Sequence, residues 1–355
     1  MQYLNNDKKD AKFLKALALL SPGTPLREGI EYILHGGFGG LIVIGDSSEI
    51  LDAIGGGFPL DCDFWPTRLY ELAKMDGAII LSSDLKLILY ANAYIRPNLS
   101  IPTHETGMRH QAAERLAKQT GAMVLAISRR RSTLTVFLGN RKYVLRDLTH
   151  LISGANQTLL ALERYVAGLK MALNILDRAE FSGMVTLMEV TSAIQRTEMV
   201  RRTENELNRY RIELGSEGQS LQLHYPQLGS EVKEGLLTIR DYYRKEQRTE
   251  AEAFERISKL NPEQLSDGSH ISLALGYPRD MSSYTEPLIP RGYRILSQIP
   301  RLPPVIVDNL VNQFHNLQAI LETTIEELQN VEGVGEIRAT MIKDELAAIK
   351  AHRYV

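Results

Sequence analysis

Three short polar segments between residues 76 and 131 carry the side chains best suited to chemistry. They are Asp76-Gly77-Ala78, Gly107-Met108-Arg109-His110-Gln111 and Ser128-Arg129-Arg130-Arg131. Together they offer one carboxylate, one glycine and a group of cationic or amide donors. These residue types are typical of a nucleotide-binding site, provided that folding brings the three segments together.

The first and third segments border predicted strands. Residues Ala78 to Ser82 are apolar and rich in isoleucine, which predicts a short buried strand that begins just after Asp76 and Gly77. Met123 to Ser128 predicts a second buried strand, and three arginines follow it directly. Side chains and bare backbone at such strand ends can converge on one pocket.

The second segment opens a predicted helix. Residues from Met108 to Thr120 carry apolar side chains at helical spacing. Arg109 and His110 therefore fall in the first turn, where unpaired N–H groups already favour an anion. This position suits a negatively charged ligand.

The composition is that of an ordinary globular protein. The chain has 355 residues, of which 44% are hydrophobic and 24% charged, and its 41 Lys+Arg against 43 Asp+Glu leave a net charge of −2. Bulk charge therefore gives no argument for nucleic acid or membrane. The one cysteine, Cys62, excludes an internal disulfide and a cysteine-rich metal site. No apolar run approaches the roughly 20 residues that span a bilayer, so we expect a soluble cytoplasmic protein without a membrane partner.

The first 147 residues predict an α/β domain. Apolar periodicity predicts helices at residues 7–20, 25–34 and 66–75, and strands near 41–44, 78–82, 86–91, 123–128, 133–138 and 142–145. Helices that alternate with strands and flank them indicate a mixed sheet covered by helices.

Helical patterning replaces the strand signals from Leu148 onward. Apolar residues recur at three- and four-residue steps, and the segment from Thr191 to Leu214 is dense in Arg and Glu. We interpret this region as an all-α structural spine that spaces two functional ends. The predicted domains are therefore residues 1–147, 148–288 and 289–355.

The C-terminal segment has the pattern of a helix-hairpin-helix. A short helix at Thr324 to Asn330 opens with a capping box, Thr324 and Glu327, and a second helix covers Glu336 to Ile349. Between them, Val331-Glu332-Gly333-Val334-Gly335 permits positive φ and exposes N–H groups to a phosphate. An αα-hairpin with glycines at its turn has the same pattern, and this segment alone does not separate the two.

Residues Ile299 to Pro303, followed by an apolar helix, resemble a degenerate first copy of this hairpin. Between residues 290 and 355 there are seven Lys+Arg against eight Asp+Glu. Any DNA contact must therefore rest on backbone amides and a few cations, without base-specific reading. The predicted DNA contacts are Gly333, Val334, Gly335, Arg338 and Lys343.

Two glycine-rich runs do not match phosphate-binding loops. The run Gly36-Gly37-Phe38-Gly39-Gly40 precedes a strand instead of following one, and Gly55-Gly56-Gly57 lacks the Lys-Ser/Thr that would follow it. We therefore assign neither run to a Walker loop or to a dinucleotide fingerprint.

Four long motifs resemble the DisA family of diadenylate cyclases. They are YELAKMDGAIILS at 70–82, ETGMRHQAAERLAKQTG at 105–121, AISRRR at 126–131 and, from residue 290, PRGYRIL followed by IPRLP. The resemblance spans nearly the whole chain, with cyclase domain, helical spine and helix-hairpin-helix tail in the same order.

The resemblance implies an enzyme that condenses two ATP into cyclic 3′,5′-di-AMP with release of two pyrophosphates. It implies one ATP in each active site and cyclase domains that meet face to face within an octamer. The implied metal is Mg²⁺ or Mn²⁺. The implied ligand of the tail is branched DNA such as a Holliday junction, which would associate the protein with the nucleoid and lower its cyclase activity.

The resemblance also assigns roles to residues. Asp76, from the Asp-Gly-Ala motif, would bind the metal and polarise the attacking 3′-hydroxyl, and Gly77 would let backbone approach ribose or base. Arg109 and His110 would hold phosphates as catalytic residues. The remaining implied nucleotide contacts are Ile95 at the adenine, Ser128, Arg129 and Arg131 at the β- and γ-phosphates, and Met108, Gln111 and Ala112 around the Arg-His pair.

Two residues depart from the family pattern. Where the family has Arg-His-Arg followed by Thr, this chain has Gln111 and Ala112 after the Arg-His pair. A charge-assisted hydrogen bond is typically worth roughly 1.5–3 kcal/mol against about 1 kcal/mol for a neutral one, so we expect turnover to fall about tenfold or more if position 111 contacts phosphate. The alternatives are therefore a catalytically weak or silent DNA-junction scaffold and an unrelated nucleotide-binding regulator.

Overall fold

The computed structural model of the chain describes residues 5–218, 229–278 and 286–353. The chain forms two compact units, the first comprising Met1–Asn156 with Asn208–His224 and the second Gln157–Leu207 with Tyr225–Val355. The predicted domain boundaries after residues 147 and 288 divide the chain differently and stay predictions.

An eight-stranded mixed sheet forms the centre of the first unit. Its strands are β1 (Gly40–Ile44), β2 (Ile54–Gly55), β3 (Phe58–Asp63), β4 (Ala78–Leu81), β5 (Leu87–Ile95), β6 (Met123–Ser128), β7 (Thr133–Leu138) and β8 (Arg141–Val144). They lie in the order β2-β5-β4-β1-β6-β7-β8, and β3 also pairs with β5. β1 and β4 are parallel, while the other pairings are antiparallel. The predicted mixed sheet is confirmed.

Helices cover both faces of the sheet. α1 (Asn5–Leu19), α2 (Pro25–His35) and α4 (Pro66–Leu72) pack on one face, and α3 (Ser48–Asp52) and α5 (Met108–Thr120) pack on the other. Neighbouring residues of a strand point to opposite faces, so Ile42 packs in the first layer and Val43 in the second. A strand that is buried on both sides is apolar throughout, which is why the sequence predicts β1, β4 and β6.

The sequence-based prediction lacks α3, β2 and β3. Five of the six residues of β3 are exposed, so this strand has no buried apolar face from which the sequence could predict it. β5 also extends to Ile95, beyond its predicted end at residue 91, because its last residues pair with β2.

The described part of the chain after residue 147 is helical. It begins with α6 (Leu148–Ser182), α7 (Leu187–Leu214), a 3₁₀ turn (Gly215–Gly218), α8 (Gly229–Tyr242), α9 (Glu250–Ser258), α10 (Pro262–Ser266) and α11 (Gly268–Leu275). Residues 219–228 and 279–285 of the predicted spine lie outside the described residues. None of the described helices is both long enough and apolar enough to cross a membrane.

Five helices form the C-terminal domain around one apolar core. They are α12 (Tyr293–Leu296), α13 (Pro304–Phe314), α14 (Leu317–Glu322), α15 (Ile325–Gln329) and α16 (Glu336–Arg353). The predicted capping box is present, because Oγ1 of Thr324 accepts the N–H of Glu327 and Oε2 of Glu327 accepts the N–H of Thr324.

A buried arginine connects this domain to the spine. Arg294 of α12 is fully buried, and its guanidinium lies 2.5 Å from Oδ1 of Asp177, 2.5 Å from Oε2 of Glu180 and 2.8 Å from Oε1 of Glu234. Burial raises the pKa of Glu180 to about 7. Asp177 and Glu180 belong to α6 and Glu234 to α8, so one guanidinium ties three helices together.

The carboxylate of Asp241 caps α12. It is buried, and its oxygens accept the backbone N–H groups of Gly292, Tyr293 and Arg294 at 2.8, 2.8 and 2.9 Å. Gly292 has no side chain with which to cap the helix itself, so a residue 51 positions earlier supplies the acceptor.

Candidate functional site

A cavity of about 560 Å³ opens where β4, β5, the start of α5 and the end of β6 meet. The predicted site residues that line it are Asp76, Gly77, Ile95, Met108, Arg109, His110, Ala112, Ser128 and Arg129. All three polar segments therefore reach one cavity. Two residues that were predicted as nucleotide contacts, Gln111 and Arg131, do not line it.

Asp76 and Arg109 form the charged pair of the cavity. Asp76 lies two residues before β4. Its carboxylate is fully exposed, and its Oδ1 lies 3.1 Å from Nη2 of Arg109. The Arg109 side chain, in the first turn of α5, is 37% exposed. An exposed ion pair is worth only about 0–1 kcal/mol, so either group can readily exchange its partner for a ligand.

Asp76 is also the predicted metal ligand. The described residues contain no group of three or more acidic, histidine or cysteine side chains placed to hold an ion. Mg²⁺ is commonly held by one or two carboxylates together with substrate phosphates and water. One fully exposed carboxylate in a cavity with cationic donors fits an ion that is shared with a phosphate ligand.

Gly77 lies against the neighbouring strand. Its N–H donates to Oδ1 of Asn92 at 3.0 Å, and a Cβ added to Gly77 would lie 2.3 Å from the backbone carbonyl carbon of Asn92. The sequence interpretation assigned the close approach at Gly77 to ribose or base. In the structure the close neighbour is β5, which by itself requires a glycine here, and a contact of Gly77 with ribose or base stays a prediction.

His110 lies at the wall of the cavity. Its imidazole makes an edge-to-face contact with the ring of Phe137, with ring centroids 6.3 Å apart. Burial lowers the pKa of His110, and the cations Lys142 and Arg109 act in the same direction. The neutral imidazole that results offers one hydrogen-bond donor and one acceptor.

We expect His110 to titrate below pH 6.5 in the full-length protein. The imidazolium is disfavoured because burial lowers the pKa of this residue more than the nearby Glu105 raises it. Imidazole ¹⁵N NMR measures this pKa, with a His110→Gln sample used to assign the signal. A pKa at or above the ordinary 6.5 would contradict the half-buried environment.

Gln111 holds the loop that precedes α5. Its Nε2 donates to the backbone carbonyl of Glu105 at 2.8 Å. Further along the helix, Nζ of Lys118 donates to the carbonyl of Pro102 at 2.9 Å. These bonds fasten the loop along α5, so the amide of Gln111 serves the loop and not the cavity.

The end of β6 brings Ser128 and Arg129 to the cavity. The backbone N–H of Arg131 donates to Oγ of Ser128 at 3.3 Å, within the turn that leads to β7. Arg129, Arg130 and Arg131 are all exposed at this turn. Their charges make the potential at this edge of the cavity positive.

Sequence reasoning missed Gly39. A Cβ at this position would lie 2.4 Å from Nη1 of Arg109 and 3.2 Å from the carbonyl oxygen of Ile127. Gly39 therefore leaves room for the guanidinium. One member of the glycine-rich run at 36–40 thus makes space for a cation of the cavity. The available signal was a glycine immediately before a buried strand.

Six further residues line the cavity that were not predicted as nucleotide contacts, and two of them, from β1 and β5, have large side chains. Leu41 of β1 and Tyr94 of β5 line it, and 69% of Tyr94 is exposed. Tyr94 belongs to the part of β5 that extends beyond its predicted end. An exposed ring at the mouth of a cavity can stack on a planar ligand.

The three residues that were predicted to contact DNA through their backbone N–H groups lie at the turn between α15 and α16. Gly333 has a φ of +83°, Val334 is buried in the domain core, and Gly335 is exposed directly before α16. The turn thus leaves its backbone open at the two glycines, as expected for a phosphate-binding hairpin.

The two predicted DNA-binding cations are engaged within the domain. Arg338 donates to the carbonyl of Gly333. Nζ of Lys343 donates to the carbonyl of Leu321 at 2.9 Å, and burial lowers the pKa of Lys343. Each would have to give up this bond to contact a phosphate, so their roles in DNA binding stay predictions.

Three family models match consecutive parts of the chain. They are the nucleotide-binding domain of the DisA bacterial checkpoint controller at residues 27–142, the linker region of the same controller at 145–284 and a SAM-like helix-hairpin-helix tandem at 293–348. The last match confirms the helix-hairpin-helix interpretation of the tail.

Relatives cover almost the whole chain. The DNA integrity scanning protein DisA of Carboxydothermus hydrogenoformans is 49% identical over 344 residues, which is 96% of this chain and 98% of that protein. The protein of the same name from Clostridium botulinum is 46% identical and covers 97% of each chain. A crystal structure of a double mutant of DacA from Staphylococcus aureus is 20% identical over 39% of this chain and 90% of that chain, with a TM-score of 0.30. On the strength of the family models and the full-length relatives, the chain belongs to the DisA family.

Proposed function

We propose that the protein is a diadenylate cyclase, which condenses two ATP into cyclic 3′,5′-di-AMP and releases two pyrophosphates. The observation that carries this proposal is the convergence of the Asp76 carboxylate, the Arg109 guanidinium and the Ser128 hydroxyl on one cavity. Nucleotidyl transfer needs a group that polarises the attacking hydroxyl and cationic donors at the departing phosphates. The cavity holds both.

The apolar side of the cavity suits the adenine. Ile95 and Leu41 offer aliphatic surface, and the exposed ring of Tyr94 can stack on a purine. Met108 and Ala112 lie at the start of α5 and complete this side. The base would thus sit on the sheet, with its phosphates directed toward the cationic residues.

Each polar residue of the cavity would have a separate role in the reaction. Asp76 would polarise the 3′-hydroxyl, whose oxygen attacks the α-phosphorus as the bond to pyrophosphate breaks. Asp76 would hold a Mg²⁺ or Mn²⁺ ion, which would supply charge compensation for the substrate phosphates. Arg109 and His110 would hold the phosphates. Ser128 and Arg129, with Arg131 at the same turn, would stabilise the departing pyrophosphate.

The cyclic product requires two copies of the site. Each cavity would take one ATP, so the hydroxyl that attacks its α-phosphate must come from an ATP held by a second copy. The fully exposed Asp76 supports such an arrangement, because a facing copy can reach it. We propose face-to-face cyclase domains within an octamer, and light scattering of the full-length protein tests the assembly.

A product assay tests the cyclase. Full-length protein is incubated with ATP and Mn²⁺, and the products are identified by mass spectrometry. The expected result is one cyclic di-AMP and two pyrophosphates for each two ATP consumed. If ATP binds and neither product forms, the cyclase proposal is wrong and the silent scaffold takes its place.

The silent scaffold is the second candidate function, and Gln111 and Ala112 motivate it. Gln111 bonds to the Glu105 carbonyl outside the cavity. This chain has Gln111 where the family has an arginine, but position 111 does not line the cavity. The difference therefore removes no hydrogen-bond donor from the cavity lining, which favours an active enzyme.

Replacing Gln111 with arginine is expected to change the rate of cyclic di-AMP formation by less than about threefold. A charge added outside the cavity acts on the phosphates only through solvent, where its effect is small. Initial rates at saturating ATP measure the change. If the initial rate rises about tenfold or more, position 111 contacts phosphate, as the family pattern suggested.

We also propose that the tail binds branched DNA such as a Holliday junction, that this binding lowers cyclase activity, and that it associates the protein with the nucleoid. The match to a helix-hairpin-helix tandem and the exposed glycines Gly333 and Gly335 support this proposal. A gel-shift comparison of a four-way junction with a linear duplex of equal length tests it. Equal affinity for both would remove the preference for branches.

A further inference from the structure

The two hairpins of the C-terminal domain are an internal repeat with an offset of 32 residues, which pairs Ile299 with Val331. Both of these residues are buried in the domain core. The turn bonds correspond as well. The N–H of Leu302 donates to the Ile299 carbonyl at 3.3 Å, and the N–H of Val334 donates to the Val331 carbonyl at 3.0 Å. The predicted degenerate first copy is therefore a structural equivalent of the second.

Arg301 stands at the place that the second hairpin gives to Gly333. Both residues have a positive φ, +60° for Arg301 and +83° for Gly333. Glycine adopts this conformation freely, whereas a residue with a side chain is uncommon there and lowers stability. An arginine at a position that suits glycine points to a function of its side chain.

The guanidinium of Arg301 is available to a ligand. The side chain is exposed, and within the described residues it makes no hydrogen bond or ion pair. The other cations near the two turns are engaged, because Arg338 donates to the Gly333 carbonyl and Lys343 to the Leu321 carbonyl. A phosphate that approaches the turns would therefore meet Arg301 as the available cation.

The first hairpin cannot hold a phosphate in the same way as the second. Its helix α13 begins with Pro304 after Pro303, and proline has no N–H to donate. The second hairpin has Gly335 and Glu336 at these places, both with N–H groups. The first hairpin therefore lacks two of the backbone donors of the second, and a cationic side chain at its turn can compensate for them.

The two turns lie close together. Nδ2 of Asn309 in α13 donates to the carbonyl of Glu332 in the second turn at 3.0 Å. A Cβ added to Gly333 would lie 2.4 Å from Cδ1 of Ile306, also in α13. Ile306 and Asn309 lie within about 8 Å of the start of α13, at 1.5 Å per residue. One DNA molecule can thus reach both turns.

Equivalent aliphatic residues flank the two turns. Val305 is 65% exposed and Ile337 is 90% exposed, and each is the second residue of the helix after its turn. A single exposed aliphatic residue means little. An exposed β-branched aliphatic residue at the same place in both repeats indicates that the two turns face one kind of surface.

We propose that Arg301 binds a backbone phosphate of DNA, so that the first hairpin holds DNA by this side chain and the second by the backbone N–H groups of its turn. The inference rests on the proposed DNA binding of the tail. It adds the residue and the chemistry by which the first hairpin takes part.

Replacing Arg301 with glycine separates the conformation of this residue from its charge. Glycine relieves the positive φ, so the Arg301→Gly protein is expected to keep the thermal midpoint of unfolding or raise it slightly. Its affinity for a synthetic four-way junction is expected to fall about tenfold. The slope of log K against log salt concentration is expected to become shallower by about 0.9, the contribution of one phosphate contact.

The matched control is Lys350→Ala, which removes an exposed cation that lies in α16 roughly 20 Å beyond the turn. It is expected to change the affinity by less than about twofold, and Arg301→Lys is expected to retain most of the binding. The assignment is wrong if wild type binds the junction and Arg301→Gly has the same affinity and salt slope, or if Arg301→Gly and Lys350→Ala weaken binding equally. If wild type binds no DNA, the proposed function of the tail fails and this inference fails with it.

Discussion

The Asp76→Asn protein is expected to form cyclic di-AMP about a thousandfold more slowly than wild type while it still binds ATP. A positioned general base typically contributes roughly 10²–10⁴-fold, and Asp76 is in addition the proposed ligand of the divalent ion. Asparagine keeps the shape of the side chain and loses its charge, so the 3′-hydroxyl loses the group that polarises it. ATP binding should persist because Arg109, His110 and Ser128 are unchanged.

The change at Asp76 is expected to leave the fold intact, because the side chain is fully exposed and its ion pair with Arg109 contributes little in water. Single-turnover product formation measures the rate, and calorimetry measures ATP affinity. Glu71→Gln is the matched control, since it removes another exposed acid, paired with Lys74 at 2.7 Å outside the cavity. This control should keep the wild-type rate. An Asp76→Asn protein with more than about a tenth of that rate would remove Asp76 from the chemistry.

Replacing Arg294 with methionine is expected to destabilise the second unit by about 3–5 kcal/mol. The guanidinium is fully buried and pairs with Asp177, Glu180 and Glu234. Methionine is apolar and leaves three carboxylates near one another without a compensating charge. Urea unfolding followed by far-UV circular dichroism measures the loss.

The deficit of the Arg294→Met protein is expected to depend on pH. Burial already raises the pKa of Glu180 from 4.5 to about 7 and raises that of Asp241. Without the guanidinium these pKa values rise further, so the folded protein binds protons that the unfolded chain has released. The folded state therefore gains stability as the pH falls from 8 toward 6, and the deficit shrinks.

The control for this change is Arg256→Met, which replaces an exposed arginine of the same unit. A surface substitution of this kind is expected to alter the free energy of unfolding by about 0.5 kcal/mol or less. If the Arg294→Met protein is as stable as this control, the buried ion pairs of Arg294 do not contribute to the free energy of unfolding. A deficit of equal size at pH 6 and pH 8 would contradict the raised pKa values of the carboxyl groups.

Most of the elements that the sequence predicted are buried ones, whose burial leaves a local pattern; β8, with three of its four residues exposed, is an exception. β1, β4 and β6 are covered on both faces and are therefore apolar throughout. The capping box at Thr324 also depends on residues three positions apart, and the structure has it. β3 was not predicted because five of its six residues are exposed. It pairs with β5 but has no buried apolar face that would give an alternating pattern in the sequence.

The candidate site was predicted at the level of segments, and less well at the level of single residues. Gln111 follows Arg109 and His110 directly, yet its amide binds the Glu105 carbonyl while those two line the cavity. The contribution of Gly39 depends on the place of one guanidinium of α5, far along the chain. Adjacent residues of a helix point in different directions, so membership of a motif does not decide which side chain reaches a ligand.

The amino-acid sequence by itself determined that a mixed α/β domain with three polar segments is followed by a helical region and a helix-hairpin-helix. These features depend on the spacing of apolar residues and on the residue types at element ends, both of which are local. Only the tertiary structure decided that Gly77 packs on Asn92, that Arg294 is buried among carboxylates and that Arg301 has a positive φ. Those facts depend on contacts between distant residues or on backbone geometry, which are set by packing and which no local pattern records.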